Sequence, residues 1–400
     1  MSEIRFFASY GLDGTLVYDL DGMCIVREIS DYSLHLRSRQ QVSTLTERLR
    51  IEHLVAFWRY LAEKKISLHD LTDRKLETYR DILLKSTLSN PRSIGSQLVA
   101  KGTVNAKLAS IYQWLCWLQT MEILRPGSVG SYKCRITVHV EHLKIGRRQR
   151  RQGLKMYPLL FPRTGAGSKH RASLALTREQ LDATAGQLVD RDNHYTGLRD
   201  SLALDIAAET SMRRVSINSL TVDLFDREKL EAETSLTFDL RPIKQKFSYE
   251  EDIRFPVQLG LRVLDFIEGA RERLLESKPH LKNNAKNSIF LSATTCQPLT
   301  NRALTQSIAS AMRASGLPKG VSLHSGRRLF AAERIEQELE SRLALGLDTS
   351  TASICAAVSM EMSQRHPDSL FPYVTRAQSR RALEASAKRD KKIPQTRNCV

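Results

Sequence analysis

The spacing of apolar residues divides the first half of the chain into a strand-like beginning and a helical region. Residues 1–39 contain apolar runs separated by two Asp-Gly pairs, a pattern typical of strands joined by tight turns. Between residues 40 and 130, apolar side chains recur every three or four positions, as Leu108, Ile111 and Leu115 do. We therefore predict a strand-like N-terminal extension followed by a small helical bundle.

The second half of the chain has a mixed pattern. A domain predicted over residues 173–373 begins with a helix start signal at Thr177, because a threonine side chain can cap a first helical turn. A helix near 197–209 is followed by two strand-like segments, SLTFDLRPI and IRFPV, with a polar turn between them. Helices then return. The whole pattern predicts a mainly α or α+β fold whose second domain contains one small antiparallel sheet.

Charge is unevenly distributed, and this changes which partners must be considered. The chain of 400 residues has 61 Lys and Arg against 44 Asp and Glu, a net charge of +17. Residues 131–172 are predicted to be a basic linker, since 144–171 contain nine Lys or Arg and no acidic residue. Residues 374–400 are predicted to be a basic tail. This surplus indicates a polyanionic partner.

Several classes of protein find no support. No apolar run reaches the roughly 18 residues of a membrane span, and the N-terminus has no signal-peptide pattern, so we expect a cytoplasmic protein without a membrane partner. The six cysteines are scattered, and His139 and His142 lack further ligands at suitable spacing. The string TGAGSKH lacks the spacing of a phosphate-binding loop. We expect no metal and no small-molecule cofactor.

Four short motifs follow one another in the second half of the chain. They are ETSMRRVS at 209–216, the lysines Lys244 and Lys246 between the two strands, LHSGRRLFA with His324 and Arg327, and MSQRHPDSLFPYVTR with Gln364 and Tyr373. No single one of these motifs is decisive, because short motifs of this kind also occur by chance.

In these motifs the chain resembles the tyrosine recombinase (phage integrase) family. Residues 210–213 occupy the frame of the family box TGLRxSEL, residues 324–331 follow HxLRHxFA, and residues 362–373 follow LGHRSPESTxxY. Residues 40–130 resemble, more weakly, the family's helical core-binding (SAM-like) domain, which clasps DNA. The resemblance implies a site-specific recombinase or integrase that cleaves and rejoins DNA through a 3′-phosphotyrosyl intermediate, for integration or excision of a mobile genetic element.

The resemblance also assigns the main catalytic roles. Tyr373 becomes the nucleophile. Arg213 and Arg327 would hold the phosphate, a task that suits permanently charged, forked guanidinium groups. The resemblance alone leaves Arg214 open as the alternative to Arg213.

Three further residues complete the implied site. Lys246 would protonate the departing 5′-oxygen, and Lys244 remains an alternative because it shares a strand face with Lys246. His324 would assist proton movement at the tyrosine or bond the phosphate. Gln364 falls where the family has His or Trp, and it can still donate a hydrogen bond; His366 is the alternative there.

The chain also departs from the family pattern. Ser211 replaces a usual glycine, Ser216 replaces a usual acidic residue, and LALGLDTSTAS lengthens the interval between Arg327 and Tyr373. These departures leave two other functions open, namely a catalytically silent DNA-binding protein on the same fold and a relaxing enzyme like the type IB topoisomerases.

The implied partners are macromolecules. One partner is double-stranded DNA, and we expect the protein to associate with the nucleoid when it is bound to DNA. The other partners are further copies of the chain, which would assemble into a synaptic tetramer. The tail at 374–400 would either pack on a neighbouring protomer or bind DNA nonspecifically.

Overall fold

Helices make up most of the chain, which confirms the predicted mainly α or α+β fold. The protein is represented by a computed structural model, which describes residues 6–11, 13–89, 97–131, 133–141, 154–162, 176–190, 193–245, 250–318, 320–364 and 366–390. The chain divides into two units, residues 1–166 and 167–400. No helix in the described ranges is long and apolar enough to cross a membrane.

The first unit begins with a three-stranded antiparallel sheet and a helix. Strands β1 (Phe6–Tyr10), β2 (Thr15–Asp19) and β3 (Cys24–Ile25) pair in chain order, and α1 (Arg27–Ser38) follows. The prediction of a strand-like extension through residue 39 was therefore wrong after Ile25. Ile29, Tyr32 and Leu36 recur at helical spacing and are almost fully buried, so α1 belongs to the core of the unit.

Three long helices form the bundle that the periodicity predicted between residues 40 and 130. They are α2 (Thr44–Glu63), α3 (Asp73–Ser89) and α4 (Gln97–Thr120). Trp114 of α4 is fully buried at the centre of the bundle, and its Nε1–H donates to the Glu28 carbonyl at 2.8 Å. This bond ties α1 to the bundle.

Much of the predicted linker at 131–172 packs on the first unit instead. A parallel pair, β4 (Val129–Gly130) and β5 (Ile136–Thr137), is followed by an antiparallel pair, β6 (His139–Glu141) and β7 (Leu154–Met156). The Asn105 side chain then exchanges two hydrogen bonds, of 2.9 and 2.8 Å, with the backbone of Phe161. Arg80 lies 4.7 Å from the Phe161 ring centre. Apolar residues within the basic segment explain this packing, because they bury surface against the bundle.

The second unit is built around one central helix. Its first helices are α5 (Arg178–Val189), α6 (His194–Thr210), α7 (Arg214–Ile217) and α8 (Arg227–Ala232). Helix α6 is buried around most of its circumference, as expected of a helix with apolar residues on several faces. Strands β8 (Thr237–Leu240) and β9 (Ile253–Pro256) then form the predicted small antiparallel sheet.

Six further α-helices lie in the described part of the second unit. They are α9 (Val257–Phe266), α10 (Glu272–Glu276), α11 (Asn301–Ala314), α12 (Leu323–Leu345), α13 (Thr351–Glu361) and α14 (Phe371–Asp390). The extra residues LALGLDTSTAS lengthen α12 and form its turn into α13. Gly346 ends α12 in the left-handed conformation, with φ of 65°. The Arg342 guanidinium fixes the turn by donating to the Asp348 carbonyl and to Ser353 Oγ, at 2.9 and 2.6 Å.

Candidate active site

The turn between α6 and α7 carries the first arginine of the predicted site. The Thr210 hydroxyl ends α6 by donating to the Ile206 carbonyl at 2.6 Å and by accepting from the Met212 N–H at 3.3 Å. Ser211 then adopts the left-handed conformation, with φ of 58°. Arg213 follows as the half-buried residue that precedes α7.

Arg327, in the third motif, joins this turn to the fourth motif, MSQRHPDSLFPYVTR. It lies in the first turns of α12 and is only 4% exposed. One guanidinium nitrogen, Nη1, donates to the Ser211 carbonyl, and Nη2 donates to the Met362 carbonyl at 3.0 Å. The same side chain therefore positions the backbone on both sides of the site, one residue after Thr210 and two residues before Gln364.

The two arginines form a concentrated positive charge. Burial and the neighbouring positive charge of Arg213 lower the pKa of Arg327 to about 9. Both causes disfavour the charged guanidinium, and a bound anion would relieve both of them. Arg214, the alternative to Arg213, is exposed and donates to Thr305 Oγ1 on α11 at 2.9 Å. The geometry therefore favours Arg213 as the partner of Arg327.

A literal copy of the family string lies elsewhere and has a structural role. The letters TGLR occur at residues 196–199, inside α6. Arg199 is buried there, pairs with Asp200 at 2.7 Å and donates to the Leu291 carbonyl at 2.8 Å. With these partners, Arg199 is part of the core of the unit.

The lysine hairpin is attached to the segment that follows Arg213. The Lys244 N–H donates to Ser219 Oγ at 3.0 Å, and the Ser219 hydroxyl is 3.3 Å from the Lys244 carbonyl. Since Ser219 lies just after α7, the start of the hairpin loop is held close to that helix. The Lys244 side chain is exposed. Lys246 lies outside the described residues.

The fourth motif contributes the amide of Gln364 and the imidazole of His366, and the third motif contributes the imidazole of His324. The Gln364 N–H donates to the Ser359 carbonyl at 2.8 Å, and its side-chain Oε1 accepts from Ser369 Oγ at 2.9 Å. His366 is exposed and precedes a one-turn helix, Pro367–Leu370. His324 is exposed on α12, one turn before Arg327.

Tyr373 lies on the first turn of α14, next to these residues along the chain. It is half-buried against the cluster formed by α12, α13 and α14, and it lines a cavity of about 570 Å³ with Leu329, Glu333 and Glu336 of α12. Within the described ranges, its hydroxyl has no hydrogen-bond partner. The structure thus brings Arg213, Arg327 and the Gln364 segment together, and it places Tyr373 on α14 without a hydrogen bond to either arginine.

Sequence reasoning missed the groups that hold the site in place. The carbonyls of Ser211 and Met362 have no sequence signature, because every residue has a carbonyl. Ser219 and Ser369 contribute ordinary hydroxyls, so only tertiary structure could single them out. Among the described residues, no group of three or more His, Cys, Asp or Glu is placed to hold a metal ion.

Comparison with known proteins establishes the fold. No protein-family model matches the sequence, and no curated protein matches it. The XerH site-specific recombinase in a post-cleavage complex with its difH substrate is 13% identical, with a TM-score of 0.50 over 87% of this chain and 81% of that chain. The Tn1549 transposon integrase in complex with transposon right end DNA is 13% identical, with a TM-score of 0.50 over 89% of this chain and 98% of that chain. This chain therefore has the fold of the tyrosine recombinases, as the motifs predicted.

Proposed function

We propose that the protein is a site-specific recombinase that cleaves and rejoins double-stranded DNA through a covalent bond to Tyr373. The observation that carries the proposal is the buried Arg327 beside Arg213, in the fold of the tyrosine recombinases. Two adjacent guanidinium groups, one of them buried, are unfavourable without an anion and suit a phosphate with one.

The proposed reaction exchanges one phosphate ester for another. The Tyr373 hydroxyl gives up its proton as its oxygen attacks the phosphorus, so that a bond from that oxygen to phosphorus forms and the bond from phosphorus to the 5′-oxygen breaks. The leaving 5′-oxygen takes a proton and becomes a hydroxyl. Rejoining is the reverse, in which a 5′-hydroxyl attacks the phosphotyrosine and Tyr373 is released. The ester bond is conserved, so no nucleotide is consumed.

The other residues of the site would assist this exchange. Arg213 and Arg327 would stabilise the negative charge that develops on the non-bridging oxygens, and losing one such donor typically slows a reaction by about 10²–10³-fold. Lys246, or Lys244, would protonate the 5′-oxygen. His324 would bond the phosphate or take part in proton transfer at Tyr373. Gln364 would donate a hydrogen bond to a phosphate oxygen.

The position of Tyr373 is compatible with this role. Its hydroxyl is not used in a hydrogen bond within the described ranges, and it begins α14, directly after the segment that Arg327 holds through Met362. In the reaction, the first turn of α14 would present this hydroxyl to the phosphate.

We also propose the wider role that the comparisons suggest. The XerH and Tn1549 proteins are described in complexes with their DNA sites, one a recombinase substrate and the other a transposon end. Strand exchange between two sites would require several copies of this chain, assembled as a tetramer on DNA. The proposed purpose is integration or excision of a mobile element.

One other function remains favoured by a specific observation. A catalytically silent DNA-binding protein would not need a hydrogen bond between Tyr373 and the arginines, and it would not need a titratable residue at position 364. In the described residues Tyr373 makes no such hydrogen bond, and residue 364 is a glutamine. Such a protein would bind DNA without ever forming a covalent adduct. This outcome separates it from the proposed recombinase.

The test is to trap the covalent adduct on nicked DNA. Incubation with a pool of nicked duplexes should give the wild-type protein an SDS-stable, protease-sensitive DNA adduct, whereas Tyr373→Phe should give none because phenylalanine has no nucleophilic oxygen. Tyr18→Phe, at a half-buried tyrosine of the first unit, is the matched control and should form the adduct normally.

The arginine assignment is tested in the same assay. Arg213→Ala should slow adduct formation by about 10²–10³-fold, while Arg214→Ala should change it little. Wild-type protein that binds DNA without an adduct would establish the silent alternative. An adduct that persists in Tyr373→Phe would overturn the choice of nucleophile.

A further inference from the structure

We infer that the outer face of the N-terminal sheet, formed by β1, β2 and β3, binds residues 391–400 of a second copy of the chain. The inference goes beyond the proposed function, because it concerns a contact between two copies. No residue of the proposed active site takes part in that contact.

The two faces of this sheet have different surroundings. Val17 is fully buried on the inner face, and Tyr10, on the same face, lies against Arg48 of α2, whose guanidinium carbon is 4.7 Å from the ring centre. The pairing register places the alternate residues on the opposite, outer face. These outer residues are Phe7, Ser9, Leu16, Tyr18 and Ile25.

The outer face is apolar and exposed. Phe7, Leu16 and Ile25 are 56%, 45% and 46% exposed, and Met23, in the turn between β2 and β3, is 88% exposed. None of the outer residues carries a charge. Exposed apolar side chains grouped in this way are typical of a surface that binds another protein.

The charge around this face is unfavourable for DNA. Residues 6–26 contain Asp13, Asp19 and Asp21 but no Lys, Arg or His. Asp13 and Asp21 are exposed and lie in the turns at the two ends of β2. DNA binding depends on positive side chains that neutralise phosphates. The face therefore suits a basic and apolar segment of protein.

Residues 391–400 have this composition. They read KKIPQTRNCV, with three basic residues, no acidic residue and the apolar side chains of Ile393 and Val400. Lys392 and Arg397 would be about 17 Å apart in an extended chain, about the length of the five-residue strand β2. One basic residue could then reach the acidic turn at each end of β2 while Ile393 covers the apolar face. In the proposed assembly on DNA, neighbouring copies would supply such tails at high local concentration.

Sedimentation velocity of the full chain without DNA tests the inference. Wild-type protein should self-associate as its concentration rises, and high salt should weaken this association because opposite charges contribute to it. Leu16→Thr with Ile25→Thr should weaken it by about tenfold or more, because the apolar area that the tail covers is lost. The matched control, Leu236→Thr with Leu347→Thr at exposed leucines of the second unit, should behave like the wild type.

Exchange of charges identifies the bound segment. Asp13→Lys with Asp21→Lys makes the sheet basic. Lys391→Glu, Lys392→Glu and Arg397→Glu together make the tail acidic. Each of these two variants alone should lose self-association, because its sheet and its tail then have charges of the same sign. A mixture of the two should associate, since each sheet then meets an oppositely charged tail.

A control variant separates this effect from a change in net charge. Glu276→Lys with Glu340→Lys alters the net charge as much as the basic-sheet variant does, at exposed carboxylates of the second unit, and should self-associate normally. Melting temperatures should stay at the wild-type value in the sheet variants, because the replaced side chains are exposed.

Several results would overturn the inference. They are a wild-type protein that stays monomeric at every concentration, an acidic-tail variant that still self-associates, and a mixture that fails to associate. A loss of DNA affinity in Leu16→Thr with Ile25→Thr would show that the face contacts DNA instead. Covalent adduct formation is measured separately, so none of these results decides the proposed function.

Discussion

Ser211 is the residue on which the geometry of the site depends most directly. Its left-handed backbone ends α6 and turns its carbonyl toward Arg327, which donates to it from inside the core. A residue with a β carbon normally avoids this conformation, at a cost of about 1–2 kcal/mol. The fold accepts that cost because the turn brings Arg213 and Arg327 together.

This strain gives a prediction about stability. Ser211→Gly should raise the free energy of unfolding by about 0.5–1 kcal/mol, because glycine adopts the left-handed region freely although it also gains entropy in the unfolded chain. The carbonyl that accepts from Arg327 is retained. Urea unfolding of the full chain measures the change. Ser211→Ala, which keeps the β carbon, is the control and should show no gain; a destabilised Ser211→Gly would contradict the argument.

At the residue scale, the charged groups of the site could be predicted from the sequence, but the backbone groups that hold them in position could not. Arg213, Arg327 and Tyr373 stand in motifs whose chemistry is visible in the letters. The carbonyls that orient Arg327 depend on a left-handed turn and on where α13 ends. Both features depend on tertiary structure. Serine is an unusual residue for the left-handed conformation, and no local sequence pattern predicts that conformation at this position.

The packing of α12 against α6 is the main feature at the scale of secondary-structure elements. Gly326 lies at their contact, and a β carbon built on it would come within 3.1 Å of Ala207 Cβ and 3.3 Å of the Ala208 nitrogen. These atoms belong to backbone or to a short side chain, so they have little freedom to move away. The close approach of the two helices places Arg327, the next residue, beside the end of α6.

We expect Gly326→Ala to separate the two helices slightly. It should lower the free energy of unfolding by about 1–3 kcal/mol, as overpacking does, and it should slow DNA cleavage because Arg327 moves with α12. Gly186→Ala is the matched control. A β carbon there meets nothing within 4 Å, so this helix should gain about 1 kcal/mol. Thermal unfolding and adduct formation measure both variants, and a Gly326→Ala protein as stable and active as the wild type would contradict the expectation.

Predictions for elements succeeded where periodicity was long and failed where it was short. The bundle helices and the β8–β9 pair follow patterns sustained over several turns or bounded by clear turn residues. In residues 27–38, three buried side chains at helical spacing were insufficient to outweigh the strand-like runs before them. In residues 131–162, basic composition concealed the few apolar positions that dock on the bundle.

At the scale of the whole molecule, the excess positive charge is concentrated rather than general. Residues 144–171 hold nine Lys or Arg and no acidic residue, and residues 374–400 hold eight against two. Elsewhere basic and acidic residues nearly balance. In the second unit, many of the basic residues are paired with carboxylates, as Arg227 is with Asp265 and Glu268 at 2.9 and 2.8 Å.

This distribution predicts how salt affects DNA binding. Replacing Arg147, Arg148 and Arg150 with Gln should make the plot of log affinity against log salt less steep by about 2–3, since each lost phosphate contact removes about 0.9. The matched control replaces basic residues that pair with Asp or Glu, namely Arg227, Lys229 and Lys282. Fluorescence anisotropy at several salt concentrations measures the slopes. Equal slopes for the two triple variants would contradict the expectation that the concentrated basic residues contact DNA phosphates more than the paired ones do.

The class of the whole fold could be predicted because helix periodicity and four ordered motifs agree. The packing of the first unit could not, because it depends on contacts between residues far apart in the chain. Asn105 and Phe161, for example, are 56 positions apart and meet through backbone hydrogen bonds.

That contact determines where the first unit could be joined to another protein in a chimera. Asn105, Arg80 and the Phe161 ring make residues 157–161 part of the first unit's own interior surface. A chimera that joined this unit to a foreign catalytic half at residue 130 would remove the groups that Asn105 binds and would uncover apolar side chains of the bundle. The transferable module therefore ends near residue 162.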